Sequence, residues 1–309
     1  MILNTGCRTD IPAYFSDWFY RRVAEGYVMA RNPYRPELVT RYALDPQVLD
    51  VICFCTKNPA PMLPRLYELD AFRQFWFVTC TPYGAEIEPR VPRKADVLAS
   101  IRQLSDAVGP QAVGWRYDPV FLSERYTVDF HLRAFERMAE ELEGSVSFCV
   151  VSFIEIYEKV RRNFPEARAV SAADQRFLTT ELVRIGAEHG IAIRLCCEDA
   201  SLNRCGAITD GCMTQEVLEQ SCGIRLDVPH SKRSPRDKCQ CLLGADVGAY
   251  NTCMHGCRYC YANYDQRTVE RNFRLHDPAS PLLIGHVQPG DVVRDARQES
   301  YLVQQLSLF

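Results

Sequence analysis

Short apolar runs alternate with helix-like segments through the first two thirds of the chain. The runs are MILNTG (1–6), VLDVICFC (48–55), FRQFWFVTC (72–80), QAVGWRY (111–117), SVSFCVVSF (145–153) and GIAIRLCC (190–197). Each is continuous rather than alternating, which is typical of parallel strands buried on both faces. Segments 127–144 and 172–190 have helical periodicity and end in Gly144 and Gly190, and glycine commonly follows the last turn of a helix.

This alternation predicts βαβ units, and therefore an α/β fold with a parallel sheet. Six or more units at this spacing indicate a complete or partial (β/α) barrel of the TIM type. We expect residues 1–200 to form the barrel body. Beyond residue 200 the chain becomes loop-rich and cysteine-rich, so we treat residues 201–309 as a second region that ends in a short amphipathic tail.

Polar motifs follow the predicted strands. They are GCRTD (6–10), TKNP (56–59), TCTPYG (79–84), WRYDP (115–119), SFIE (152–155) and CCEDA (196–200). Because the carboxyl ends of parallel strands meet at one edge, we expect these groups to line a shared pocket. Turn formation and helix capping explain some of them individually, as at Asn58 and the proline after it. The candidate catalytic residues are Cys7, Arg8, Arg116, Asp118 and Glu155.

Charge and hydropathy narrow the class of protein. A formal net charge of −3 disfavours a protein that coats nucleic acid, and a basic stretch as short as 232–238 is usually solvated surface. The N-terminus, MILNTGCRTDIP, lacks the charged and apolar regions of a secretory signal. No uncharged apolar run reaches the ~18 residues of a spanning helix. We therefore expect a cytoplasmic protein without a membrane or nucleic-acid partner.

Cysteine is distributed unevenly along the chain. Fifteen cysteines are present, and ten of them lie between Cys196 and Cys260. Clustered thiols in a reducing cytosol indicate metal binding or catalysis rather than disulfides. Cys253, Cys257 and Cys260 form a C-x3-C-x2-C group, the cysteine triad, within NTCMHGCRYCYAN (251–263). Ferredoxin-type iron–sulfur clusters take four thiolates, so three ligands on a four-iron cluster would leave one iron open to a small molecule.

The triad spacing, with Tyr259 directly before the third cysteine, resembles the cluster signature of radical SAM enzymes. The resemblance implies a [4Fe–4S] cluster on the triad whose open iron binds S-adenosylmethionine. It also implies reductive cleavage of that cofactor to a 5′-deoxyadenosyl radical, which abstracts hydrogen from a small-molecule substrate. An external reductant of flavodoxin or ferredoxin type would supply the electron, and Tyr259 would contact the adenine.

A longer resemblance covers most of the chain. The motifs GCRTDIPA, GYVMARNP, TKNP, WRYDP, SFIEIY and DVGAYNTCMHGCRYCYAN together resemble the uncharacterised DUF1848 family. That family is described as carrying a radical-SAM-like cysteine cluster at its C-terminus, and it implies no settled function.

The position of the triad differs from the usual radical SAM arrangement, in which it follows the first barrel strand. Because a barrel is closed, the end of the chain can supply its first strand without changing the arrangement in space. We therefore expect 246–251 to form that strand, 252–260 the cluster loop and 261–273 the next helix, with MILNTG as the neighbouring strand. In this circularly permuted barrel, GCRTD takes the place of the usual glycine-rich motif. The candidate cofactor contacts are then Tyr259, Arg8, Asp10 and Glu198.

The cysteines outside the triad indicate a second metal site. Its expected members are Cys212, Cys239 and Cys241, with Cys197 or Cys205 completing a set of four. Four thiolates there would hold an auxiliary iron–sulfur cluster or a tetrahedral zinc ion. Cys7 is either a strand-end thiol or a pocket thiol that donates hydrogen. The cysteines expected in the core, because they lie inside apolar runs, are Cys53, Cys55, Cys80 and Cys149.

Alternative functions stay open from the sequence. A binding or electron-transfer protein would use Cys241 as the fourth protein ligand of the cluster. A zinc-stapled barrel hydrolase or isomerase would take acid–base groups from WRYDP and Glu155. Its zinc ligands would be Cys239, Cys241, Cys257 and Cys260. A DNA-lesion lyase is favoured only if the basic stretches 158–168 and 232–238 lie on one face.

Overall fold

The computed structural model describes residues 1–234 and 239–303. Its strands are β1 (Ile2–Asn4), β2 (Tyr27–Arg31), β3 (Leu38–Ala43), β4 (Val51–Thr56), β5 (Gln74–Thr79), β6 (Val113–Val120), β7 (Phe148–Phe153), β8 (Ala192–Leu195), β9 (Ala245–Asp246) and β10 (Val292–Asp295). Its helices are α1 (Ile11–Tyr14), α2 (Ser16–Glu25), α3 (Lys94–Val108), α4 (Val128–Leu142), α5 (Glu158–Asn163), α6 (Ala172–Glu188), α7 (Gln215–Cys222) and α8 (Gln266–Phe273). Short 3-10 segments lie at 63–69, 110–112, 200–205 and 230–232.

Seven strands form one parallel sheet in the order β9–β1–β4–β5–β6–β7–β8. Strand β9 pairs with β1, where Ala245 lies opposite Leu3. The last strand of this sheet in sequence therefore lies beside the first. The α/β class and the parallel sheet agree with the prediction from the apolar runs.

The sheet is open, which corrects the expectation of a complete barrel. Its edge strands are β8 and β9. The free edge of β8 is occupied by the segment around Ile208, whose amide donates to the carbonyl of Ile193 at 2.9 Å and whose carbonyl accepts from the amide of Leu195 at 2.7 Å. Because that segment takes the hydrogen-bonding groups of β8, β9 cannot pair with β8 to close the sheet.

The observed elements differ most from the predicted ones near the C-terminus. The strand expected at 246–251 is only Ala245–Asp246, and the helix expected at 261–273 begins at Gln266. Asp265 accepts a hydrogen bond from the amide of Thr268 at 2.8 Å and so caps α8, which explains the later start. A second sheet, in the order β10–β3–β2, was not predicted. Strands β2 and β3 are half-exposed and lack a continuous apolar run.

Helices cover one face of the main sheet, and the cysteine-rich segment covers the other. Consecutive residues of a strand point to opposite faces. On β5, Trp76 packs in the core under the helices, whereas Phe75 packs in a second core with Leu218 of α7 and Leu242. The segment that follows β8 in sequence therefore forms the second covering layer.

The described part of the tail packs on the body of the protein. Asp50 accepts hydrogen bonds from the hydroxyl of Ser300 at 2.6 Å and from the amide of Tyr301 at 2.8 Å. Residues 304–309 of the expected amphipathic tail, and 235–238 of the expected basic stretch, lie outside the described residues. Among the described helices, none is long and apolar enough to cross a membrane.

Candidate metal centre at the carboxyl edge of the sheet

The triad cysteines lie in the loop between β9 and α8, at the carboxyl edge of the parallel sheet. This loop is tied to the segment that follows β1. Thr252 Oγ1 lies 2.7 Å from Thr9 Oγ1, and the side-chain amide of Asn263 donates to the carbonyl of Cys253 at 2.8 Å. Gly6 lets the segment approach β4 closely, since a Cβ there would lie 2.2 Å from the carbonyl oxygen of Cys55.

A chain of three polar side chains, of which Asp10 and His255 are buried, orients the loop that carries the triad. His255 Nε2 lies 2.8 Å from Asp10 Oδ2, and His255 Nδ1 lies 2.9 Å from the hydroxyl of Tyr14. Asp10 also accepts from the backbone amides of Lys57 at 2.8 Å and Ala13 at 3.1 Å. Both carboxylate oxygens of Asp10, an expected cofactor contact, are therefore engaged by protein donors. Asp10 lies where it fixes His255 and, through it, the loop.

Glu88 is a buried anion next to the triad. It is 2% exposed and accepts from Lys57 Nζ at 2.8 Å and from the hydroxyl of Thr81 at 2.7 Å. Lys94 Nζ and the hydroxyl of Tyr259 also donate to it. Burial by itself raises the pKa of a carboxyl, but Lys57 and Lys94 outweigh it and hold the pKa of Glu88 at about 2. The hydroxyl of Tyr259 is thus bound to the protein, and its ring centroid lies 5.5 Å from Lys57 Nζ.

The triad thiols are enclosed and lie near a cation. Desolvation raises the pKa of Cys257 to about 12, and the neighbouring Lys57 opposes this rise. Desolvation also raises the pKa of Cys253 and of Cys260. Because thiolates rather than thiols bind metals, a metal must displace these protons. The ammonium group of Lys57 is placed to offset the negative charge that results.

Cys7 and Tyr261 lie together beside the triad. Tyr261 is 52% exposed, and its hydroxyl donates to the carbonyl of Cys7 at 2.7 Å. Although Cys7 is exposed, desolvation by surrounding atoms and the nearby Asp246 raise the pKa of its thiol well above the ordinary value.

Arg116 of β6 lies close to both Cys7 and Tyr261. It forms an ion pair with Asp118, whose other oxygen accepts from the hydroxyl of Ser152. Arg116 Nη1 also donates to Cys55 Sγ at 3.6 Å, so Cys55 does more than fill the core. Among the described residues, the buried Nε of Arg116 has no hydrogen-bond partner, which leaves one donor for a ligand or water. Of the other cysteines expected in the core, all are buried: Cys53, Cys80 and Cys149.

The other predicted residues, Arg8, Glu155 and Glu198, have separate surroundings. The guanidinium of Arg8 lies 5.6 Å from the ring centroid of Tyr250, and Lys159 Nζ lies 5.3 Å from the same centroid, so two cations share one aromatic ring. Glu155 is exposed. Glu198 Oε1 accepts from the last amide of β7 at 2.7 Å and so fixes the end of that strand.

Five other cysteines meet at the carboxyl end of β8. This second thiol group consists of Cys196, Cys197, Cys212, Cys239 and Cys241. Cys196 Sγ lies 3.3 Å from Cys212 Sγ and 3.9 Å from Cys197 Sγ. Cys212 Sγ lies 3.4 Å from Cys241 Sγ. Cys205, the alternative to Cys197 in the sequence prediction, lies outside these groups of the described chain, whereas Cys196 is a member that the prediction missed.

The sequence was compared with known protein families, with curated proteins and with solved structures. The family model of DUF1848, a domain of unknown function, matches residues 2–262. The chain belongs to the DUF1848 family. The match includes the triad and the second thiol group and confirms the resemblance seen in the motifs. No curated protein and no solved structure matches the chain, so the DUF1848 assignment carries no activity with it.

Several residues that the structure places at the two cysteine groups of this DUF1848 chain were given no role of their own from the sequence. They are Lys57, Glu88, Lys94 and Cys196. Lys57 stands in TKNP directly after β4, so its strand-end position is a usable signal. Glu88 lies in a loop and Lys94 begins α3, and no spacing pattern singles out either one.

Proposed function

We propose that this DUF1848 protein is a radical SAM-type enzyme with a circularly permuted, partial (β/α) barrel. One observation carries the proposal. Three cysteines with C-x3-C-x2-C spacing lie at the carboxyl edge of a parallel sheet, in the loop after a strand that pairs beside β1. The strand order β9–β1–β4 is the order that the permuted arrangement requires.

The triad suits a cluster of several metal ions better than a single ion. Within residues 1–234 and 239–303, its three sulfurs are not all within 4.8 Å of one another. With Zn–S bonds of about 2.3 Å, a tetrahedral ion holds its sulfurs about 3.8 Å apart. A four-iron cluster spreads its thiolates further, so Cys253, Cys257 and Cys260 fit a [4Fe–4S] cluster with one iron left for a cofactor.

The residues around the triad hold and orient this centre. Asp10 and Tyr14 fix His255 and keep the loop at the strand ends. Lys57 supplies positive charge beside Cys257. We assign the ring of Tyr259 to the adenine of S-adenosylmethionine, because its hydroxyl is already held by Glu88 and the residue directly precedes Cys260 of the triad.

The chemistry comes from the bound groups. A [4Fe–4S] cluster held by Cys253, Cys257 and Cys260 would supply one-electron reduction of S-adenosylmethionine, with the electron coming from an external flavodoxin- or ferredoxin-type reductant. Cleavage of a carbon–sulfur bond of the cofactor would give methionine and a 5′-deoxyadenosyl radical, which would take a hydrogen atom from a small-molecule substrate. The surface between Cys7, Arg116 and Tyr261 is the proposed substrate site. Arg116 and its partner Asp118 supply hydrogen-bonding groups there.

The rival functions need side chains that are engaged elsewhere. An electron-transfer protein with a fully ligated cluster requires a fourth thiolate from Cys241, but Cys241 Sγ lies 3.4 Å from Cys212 Sγ in the second thiol group. The zinc-stapled hydrolase requires the same sulfur together with Cys257. Its acid–base groups also fit poorly, because Asp118 is paired with Arg116.

Cofactor cleavage tests the proposal. The full chain, purified without oxygen and reconstituted with iron and sulfide, is reduced and given S-adenosylmethionine, and 5′-deoxyadenosine is measured. We expect product from the unsubstituted chain and none from Cys257→Ala. Cys205→Ala is the matched control, because Cys205 lies outside both cysteine groups, and it should retain product formation. A chain that carries its full iron–sulfur complement and binds the cofactor, yet forms no product, would rule out the proposal.

A further inference from the structure

The second thiol group has no part in the proposed radical chemistry. Cys196 Sγ lies within 4.8 Å of the four other sulfurs. Cys196 follows β8, Cys212 precedes α7, and Cys239 and Cys241 come from the stretch before β9. Three separate segments of the chain therefore meet at one cluster of thiols.

We propose that Cys196, Cys212, Cys239 and Cys241 bind a single, tetrahedrally coordinated zinc ion. The sulfur separations of 3.3 Å between Cys196 and Cys212, and of 3.4 Å between Cys212 and Cys241, are close to the spacing around one ion. That spacing is about 3.8 Å when Zn–S bonds are about 2.3 Å. A [4Fe–4S] cluster would require these neighbouring sulfurs to move well apart.

Backbone amides point at two of the sulfurs. Cys241 Sγ accepts from the amides of Cys212 and Met213, each at 3.2 Å. Cys239 Sγ accepts from the amide of Cys241 at 3.4 Å. Hydrogen bonds from N–H groups favour the thiolate over the thiol, and the thiolate is the form that binds a metal. The local backbone is therefore arranged for metal-bound sulfur and not only for packed thiols.

The charge around the group also suits a metal thiolate. Zinc on four thiolates carries a net negative charge, which is unfavourable inside a protein unless a cation lies near it. The nearby cation is Arg116. Burial lowers the pKa of its guanidinium, but its partner Asp118 and then Cys55, Cys212 and Cys196 raise it, so Arg116 lies close enough to Cys212 and Cys196 to interact with their charges as well. Arg194, 7% exposed, holds the loop before Cys212 by donating to the carbonyl of Gly211 at 3.1 Å.

Four ligands must be chosen from five thiols. Cys196, Cys212 and Cys241 have sulfurs that all lie within 4.8 Å of one another, and Cys196 forms a second such group with Cys197 and Cys239. The first group supplies three ligands, and the fourth comes from the second group. We assign Cys239, because its sulfur accepts from the amide of Cys241 at 3.4 Å and so adjoins the first group, whereas Cys197 has a positive backbone φ of 62°.

The ion would fasten the covering layer to the sheet. Cys212 and Cys241 belong to the core on the face covered by the cysteine-rich segment, together with Phe75 and Phe148, whereas Cys196 follows β8. A four-coordinate structural zinc ion contributes directly to folding because the unfolded chain has no preformed site. This role is independent of the proposed radical chemistry.

Metal analysis of the full chain tests the inference. In a chain with Cys253→Ser, Cys257→Ser and Cys260→Ser, iron and sulfide have no triad to bind. We expect one zinc per chain that survives gel filtration with a weak chelator, and a cobalt-substituted form with the absorption of a tetrahedral tetrathiolate. Adding Cys212→Ser should remove the zinc, whereas adding Cys205→Ser or Cys197→Ser should leave it in place. Stoichiometric iron with sulfide at this site, or a folded chain without metal, would overturn the inference.

A second measurement does not depend on folding of the triple variant. In the unsubstituted chain, thiol alkylation followed by mass spectrometry gives the reactivity of each cysteine before and after a strong chelator. Chelation should raise the alkylation of Cys196, Cys212, Cys239 and Cys241 together while Cys205 stays unchanged. Equal alkylation of those four with and without the chelator would contradict a bound ion.

Discussion

The two cysteine groups of this protein differ in spacing and in surroundings, although both lie at strand ends of one parallel sheet. In the second thiol group, neighbouring sulfurs lie 3.3–3.9 Å apart and backbone amides point at them. In the triad, the sulfurs are wider apart, and the charged side chains of Lys57 and Glu88 lie beside them. The first arrangement suits a closed, four-ligand ion and the second a larger centre with an open position.

The surroundings differ for a physical reason. A closed site needs little beyond its ligands and one compensating cation, which Arg116 supplies to the second thiol group. An open site must also hold a cofactor, so its loop has to be fixed from outside. Asp10, His255 and Glu88 provide that support for the triad, and none of them is a metal ligand in the proposal. Substitutions of these supporting residues should therefore separate the two sites.

Glu88→Gln should cause the largest loss of unfolding free energy, and it should affect metal binding at the triad and not at the second thiol group. The change removes a buried carboxylate and leaves Lys57 and Lys94 without their anion. Breaking a buried ion pair costs about 3–5 kcal/mol of unfolding free energy, and we expect the lower end because Lys94 is 24% exposed. Urea unfolding measures this loss, and iron content should fall while zinc content stays constant.

The control for that variant is Glu86→Gln. Glu86 lies two residues away, and its side chain is 44% exposed, so its loss should cost less than about 1 kcal/mol. Equal losses in the two variants, or loss of zinc together with iron in Glu88→Gln, would mean that the supporting ion pair is not specific to the triad.

Lowering the pH should reduce the difference in unfolding free energy between the native chain and the Glu88→Gln variant. The pKa of Glu88 is lowered from 4.5 to about 2, so its contribution to stability is full above pH 4.5 and is lost as the pH falls toward 2. The shift corresponds to about 3 kcal/mol at neutral pH. Urea unfolding of both proteins between pH 7 and pH 3 measures the difference, which should shrink below about pH 4.5. A difference that grows in acid would show that another group dominates.

Gly211→Ala should act on the second thiol group instead. Gly211 has a φ of 123°, and an added Cβ would lie 3.0 Å from Cys241 Sγ. Backbone strain of this kind costs about 1–3 kcal/mol, and the displaced sulfur should weaken zinc binding. Gly223→Ala is the control, because its φ of 63° is equally left-handed but nothing lies within 4 Å of the added Cβ. If Gly211→Ala kept its zinc and lost iron, the substitution would affect the triad and not the second thiol group, which would contradict this prediction.

Some of this arrangement could be predicted from the sequence, and the rest depends on contacts between distant segments. Continuous apolar runs predicted the parallel strands, and cysteine spacing predicted the triad loop. The open edge could not be predicted. Either the segment around Ile208 or strand β9 could pair with β8, and the sequence does not show which of the two does so. The pair between Lys57 and Glu88 joins residues 31 apart, and it becomes visible only when the ends of neighbouring strands are brought together.

Tyr259→Phe should cause the smallest loss of unfolding free energy, and it separates the contribution of the Tyr259 hydroxyl from that of its ring. The change removes one hydrogen bond to Glu88, which keeps its bonds to Lys57 and Thr81. We expect a loss of about 1 kcal/mol in unfolding free energy and little change in the affinity for S-adenosylmethionine, because the ring is retained. Tyr259→Leu should cost similar stability but weaken cofactor binding. If Phe and Leu weaken binding equally, the hydroxyl rather than the ring carries the contact, and the ring of Tyr259 is then not the adenine platform of the open site.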